Sequence, residues 1–134
     1  MRAAAVACVA LLSLIVAASA AAGFKSGRYA GTTSQRTKIS FKATELGVKK
    51  FSYSVDIECD DGTTREFISG ESAKAPLTDK GRFRAEFVTV DENITSVVSG
   101  KLKRRRGSGT IETAGTLPGG WKCHSSATWS AVRR

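Results

Sequence analysis

Apolar and polar residues alternate in steps of two along most of the chain. Phe51, Tyr53, Val55, Ile57 and Cys59 interleave with Ser52, Ser54, Asp56 and Glu58, so this run has one apolar face and one polar or acidic face. That period belongs to a half-buried β-strand; apolar positions of a helix recur every three or four residues. Ile39, Phe41 and Ala43 repeat the pattern between Lys38, Ser40 and Lys42. Phe83, Ala85 and Phe87 alternate with Arg82, Arg84 and Glu86, and Ile94, Ser96, Val98, Gly100 and Leu102 with Thr95, Val97, Ser99 and Lys101. Ala127, Trp129 and Ala131 carry the pattern close to the last residue. Shorter segments at 28–33, 64–69 and 109–113 bring the expected number of strands to about eight.

Turn chemistry separates these runs at Glu45-Leu46-Gly47, Asp60-Asp61-Gly62, Asp79-Lys80-Gly81, Asp91-Glu92-Asn93 and Arg106-Gly107-Ser108-Gly109. Glycine tolerates the positive φ that a tight hairpin needs, so Asp61-Gly62 marks one well. Connections this short join antiparallel neighbours. The expectation is an all-β, single antiparallel domain of about eight strands in mostly up-and-down order, with no long helix. One apolar face and one wet face require the sheet to close into a barrel or flatten into a sandwich, and alternation fits both.

The first twenty or so of the 134 residues follow another logic. Arg2 precedes an uncharged run from Ala3 to Val16, then small residues with cleavage patterns after Ala20 and after Ala22. A charged start, an apolar centre and an A-x-A end predict a secretory signal peptide over 1–20, leaving an all-β domain at 23–134. Cys8 lies inside the apolar run, too early for a lipid-bearing cysteine. The expected location is therefore secreted, extracellular or cell-envelope associated, with no transmembrane segment after cleavage.

Export leaves Cys59 and Cys123, which in an oxidising compartment are expected to form one disulfide. Cys59 ends the strongest strand on its apolar face, and Cys123 opens the last. Neither belongs to a C-x-x-C pair and His124 is the only histidine, so a metal site lacks ligands.

Several segments resemble a group of small exported all-β domains of actinobacterial type. They are Gly27-Arg-Tyr29-Ala-Gly31-Thr-Thr-Ser-Gln35, Ile39-Ser-Phe41-Lys42, the strand ending at Cys59, Gly81-Arg-Phe83, Val98-Ser-Gly100-Lys-Leu102, Gly109-Thr-Ile111 and Cys123-His-Ser-Ser-Ala-Thr-Trp129-Ser-Ala131. The chain departs from that pattern at Ser126, where a glycine is expected after the turn following Cys123. The resemblance implies export and an all-β fold, and no activity or catalytic residue. A looser likeness, through Gly27-Arg28-Tyr29, is to up-and-down ligand barrels.

Charge adds the one chemical feature that stands out. The formal net charge is +9. Residues 21–99 hold twelve Lys+Arg and eleven Asp+Glu, whereas residues 100–134 hold eight Lys+Arg and Glu112 alone. Lys101, Lys103, Arg104, Arg105 and Arg106 crowd into six positions and would project from a strand end as a positive patch. Such a patch attracts an anionic polymer or envelope surface, or else only keeps the hairpin solvated. Sequence-specific reading of nucleic acid is not expected without a recognition helix or zinc module. Asp56, Glu58, Asp60, Asp61 and Glu66 are oxygen ligands of the type calcium prefers, but they lack the EF-hand spacing. A wet strand face and a turn explain them as well. The single histidine gives little basis for Ser-His-Asp chemistry. Trp121, in the Pro118-Gly119-Gly120 loop, could pack over the disulfide or stand out to meet a sugar or partner. The sequence thus points to a non-enzymatic exported domain without cofactor or metal, engaging anionic material through residues 101–106. A carrier with an apolar barrel interior is the alternative, and it requires an internal cavity of at least ~300 Å³.

Overall fold

The computed structural model describes residues 23–69, 74–89 and 93–134; the expected signal peptide and Cys8 lie outside the described residues. The strands are β1 (Gly27–Thr33), β2 (Lys38–Thr44), β3 (Gly47–Cys59), β4 (Thr64–Ile68), β5 (Arg82–Thr89), β6 (Ile94–Lys103), β7 (Arg106–Thr116) and β8 (Lys122–Arg133). They form one antiparallel sheet in the order β4-β3-β2-β1-β8-β7-β6-β5. Consecutive strands are neighbours in every case except β4 and β5, the two edges of the sheet. The up-and-down order therefore holds, with its seam at the 69–81 link. No helix among the described residues is long and apolar enough to cross a membrane.

Closure is partial. The end of β3 reaches the start of β8, pairing Glu58 with His124 and Cys59 with Cys123. This closes β3, β2, β1 and β8 into a four-stranded barrel, with β4 on one flank and β7, β6 and β5 on the other. The predicted disulfide joins Cys59 and Cys123 at that closure, between the third strand and the last. Both sheet edges carry charge on their exposed residues, Arg65 and Glu66 on β4, Arg82, Arg84 and Glu86 on β5, which discourages strand addition.

Most inward residues are those the alternation marks, and Tyr29 on β1 and Phe67 on β4 join them from the shorter segments. Tyr29, Phe41, Phe51, Tyr53, Phe83, Phe87 and Trp129 are all buried. Their rings touch in a continuous cluster, with Phe41 facing Tyr29, Phe51, Phe83 and Trp129. Contacts of Phe83 and Phe87 with Phe51 fold the β5 flank over the barrel's inner face.

Two expectations change. The turn placed at Arg106-Gly107-Ser108-Gly109 lies inside β7, and the chain reverses one step earlier, at Arg104-Arg105. Those glycines serve packing. Gly100 pairs with Gly109, and Gly109 with Trp129. A Cβ on Gly100 would stand 2.3 Å from the Trp129 ring, and one on Gly109 1.8 Å from the Ser99 carbonyl oxygen. Glycine is used here because backbone and indole approach too closely for any side chain. There is also no turn after Cys123: β8 runs straight through Ser126, whose hydroxyl lies 2.7 Å from Glu112 Oε1. Trp121, for which the sequence left packing and exposure both open, is 47% exposed.

One polar chain crosses the core. The Tyr53 hydroxyl donates to Ser96 Oγ at 2.7 Å, and Ser96 Oγ lies 2.9 Å from Thr113 Oγ1. Burial pushes the Tyr53 hydroxyl up to about 12 from 10.0, and the Ser96 bond opposes that shift. Between these values the folded chain keeps a proton that the unfolded chain has released. The contribution of Tyr53 to stability is therefore fully present below pH 10 and is lost as the pH rises towards 12. The expected loss at pH 12 is on the order of 2 kcal/mol. Urea melts at pH 9 and pH 12 measure it, and Tyr53→Phe should flatten the dependence. An equally steep fall in Y53F would assign it to other groups.

Candidate anion-binding groove

The charged hairpin is built by the β6–β7 reversal. Lys103 and Arg106 pair directly, leaving Arg104 and Arg105 as a two-residue loop. Arg104 has φ 57°, a left-handed conformation that costs a non-glycine residue about 1–2 kcal/mol. Its carbonyl oxygen holds it in place by accepting from Lys25 N at 2.7 Å and the Tyr29 hydroxyl at 3.3 Å. Arg105 O accepts from Arg133 N at 2.8 Å. The hairpin is thus clamped by backbone contacts to both chain segments beside it.

Strand alternation then divides the five predicted residues. Lys101, Lys103 and Arg106 project from the outer face into a groove of about 670 Å³. Arg104 and Arg105 are exposed at the tip and do not line it. Arg134 joins the groove from beyond the end of β8, and its position is fixed by a 2.8 Å bond from its N–H to Arg28 O. The floor consists of small and hydroxyl-bearing residues from β1, β7 and β8, among them Ala30, Thr32, Ser108, Ser130 and Val132. Sequence reasoning missed Arg134. Its parity with Ser130 and Val132 signals an outward side chain, but only the pairing of β8 with β1 and β7 brings it near Lys103 and Arg106.

The groove carries four exposed cationic side chains with no Asp or Glu among its lining residues. The only ion pair among the described residues, Arg84 with Glu86 at 3.4 Å, lies on β5. Like charges directly opposite on neighbouring strands, as at Lys103 and Arg106, destabilise a sheet by up to about 1 kcal/mol. An anion placed between them removes that repulsion and adds charge-assisted hydrogen bonds.

Acidic residues gather towards the other end of the strands. Asp56 and Glu66 pair across β3 and β4, and Glu58 sits opposite His124. Asp61, in the β3–β4 turn, is held below the usual carboxylate range by hydrogen bonds from the Thr63 hydroxyl and N–H. Among the described residues no three His, Cys, Asp or Glu side chains gather as a metal site. A shallow recess there is lined by Gln35, Asp56, Glu58 and His124. Charge is therefore polarised along the strands, positive at the β6–β7 hairpin and negative at the β3–β4 turn.

No family model matches the chain, and neither the curated proteins nor the solved structures yield a match. What stands is the class of fold, a partly closed antiparallel β-barrel with the Cys59–Cys123 disulfide and a cationic groove on its outer wall.

Proposed function

We propose that the protein is an exported, non-enzymatic domain that binds anionic polymer or envelope surface through its outer groove. The carrying observation is the convergence of Lys101, Lys103, Arg106 and Arg134 on one groove lined by no Asp or Glu side chain. The disulfide supports an oxidising destination, as does the signal-like sequence before residue 23. The single histidine lies on the opposite part of β8 from this groove, away from the cations. The carrier reading is less well supported, because eight buried aromatic side chains fill the interior and the groove opens outside.

Retention on a polyanion matrix tests the proposal. Replacing Lys101, Lys103 and Arg106 together by Gln should bring elution to clearly lower salt. Replacing Arg36, Arg65 and Lys122 removes the same charge from the other end and should move elution much less. Equal shifts in the two triple variants would reduce the groove to net charge alone.

A further inference from the structure

We infer that the groove's ligand is a linear polymer of polyol or sugar units joined by anionic groups, lying across the strands from β5 to β2. This rests on the anion-binding reading above. Two further recesses adjoin the groove. One of about 320 Å³ adds Arg82 and shares Lys101 and Ser108 with it. The other, of about 470 Å³, adds Arg28, Lys42 and Lys50. It lies one strand over from the groove, since Ala30 of the groove pairs with Ser40 of this recess.

Cations thus recur across neighbouring strands: Arg82 on β5, Lys101 on β6, Arg106 on β7, Arg134 past β8, Arg28 on β1 and Lys42 on β2. Strands stand ~4.8 Å apart, so these five intervals extend ~24 Å across the strands, on a line that also climbs along them between Lys101 and Arg134. A single phosphate or carboxylate meets two or three of these groups. Only a repeating anion meets them all.

The chemistry between the charges narrows the polymer. Ser108, Ser130 and Thr32 are successive cross-strand partners, all exposed, in the middle of the tract. Hydroxyls both donate and accept, and so suit a ligand that carries hydroxyls between its charges. Aromatic residues on these strands are buried, while exposed Trp121 precedes the far end of β8. The tract therefore offers no stacking platform of the kind that holds single-stranded nucleic acid.

Calorimetry with the disulfide-bonded protein and poly(glycerol phosphate) fragments of graded length tests this. Affinity should rise at least tenfold from fragments shorter than two strand intervals to fragments spanning ~24 Å, then level off. Arg28→Gln with Lys42→Gln should weaken long fragments only, and lower their log–log salt slope by about 1.4. Ser108→Ala with Ser130→Ala should weaken poly(glycerol phosphate) but not inorganic polyphosphate, which has no hydroxyls. Length-independent affinity, or an unchanged slope in the first double variant, would overturn the linear tract while leaving anion binding intact. Oligothymidylate binding as tightly as poly(glycerol phosphate) at equal charge would overturn the polyol assignment. If no polyanion binds, the underlying proposal fails as well.

Discussion

Replacing Cys59 and Cys123 together by Ala is expected to lower the unfolding free energy by about 4 kcal/mol, the loop-closure value for a 64-residue separation. In a domain of this size that corresponds to a fall in melting temperature of roughly 15 °C. The effect should be large because of where the bridge sits. β3 and β8 pair only through Glu58 with His124 and Cys59 with Cys123, and those contacts close the barrel. Without the covalent link, two residue pairs must hold that closure against the flanking strands. Calorimetric scans of the double variant beside the oxidised parent measure the difference. A loss below ~1 kcal/mol would mean that the aromatic core alone fixes closure.

Phe41→Ala should cost about 3–5 kcal/mol, the range for truncating a buried aromatic. The Phe41 ring lies 5.3 Å from Tyr29, 5.6 Å from Phe51, 5.8 Å from Phe83 and 5.5 Å from Trp129, measured between centroids. It therefore joins the barrel strands to the β5 flank, and its removal leaves a void that no single neighbour can fill. Phe67, on edge strand β4, faces only Tyr53 among these rings, at 6.2 Å, and its truncation should cost less. Urea denaturation of the two variants compares them. A Phe67→Ala loss equal to that of Phe41→Ala would contradict a core organised around Phe41.

Groove and core divide the same strands between them. On β6, Leu102 points inward and is buried, while Lys101 and Lys103 point outward. The packing that holds Leu102 in place therefore also aims the two lysines. Gly107 opposite Leu102 belongs to this device, because a Cβ there would meet Leu102 Cδ2 at 2.6 Å.

Much of the fold was legible in the residues. The period of two identified five strands and their inward side chains, because each pleat sends neighbours to opposite faces, while β1, β4 and β7 were legible only as short candidate segments. The cysteines could be paired because only two remain after the signal-like segment and both lie at strand ends. The glycines of β7 misled, since glycine marks a turn and a close approach with the same letter. Trp121 gave no alternation to read, and its exposure follows from a loop rather than a strand.

The candidate site was legible only in part. Residues 101–106 announced their charge, and parity separated Lys101, Lys103 and Arg106 from the loop arginines once the reversal was located. Arg134, Arg28, Lys42 and Arg82 were unremarkable in sequence, being remote from that run and from one another. By itself, then, the sequence determined strand identity, facing, the sulfur pair and the excess of positive charge, all of which depend on local spacing and composition. The tertiary structure alone decided that the barrel closes between β3 and β8 and that distant cations share one wall. Those outcomes depend on cross-strand register, which is set by how the aromatic core packs between segments far apart in the chain.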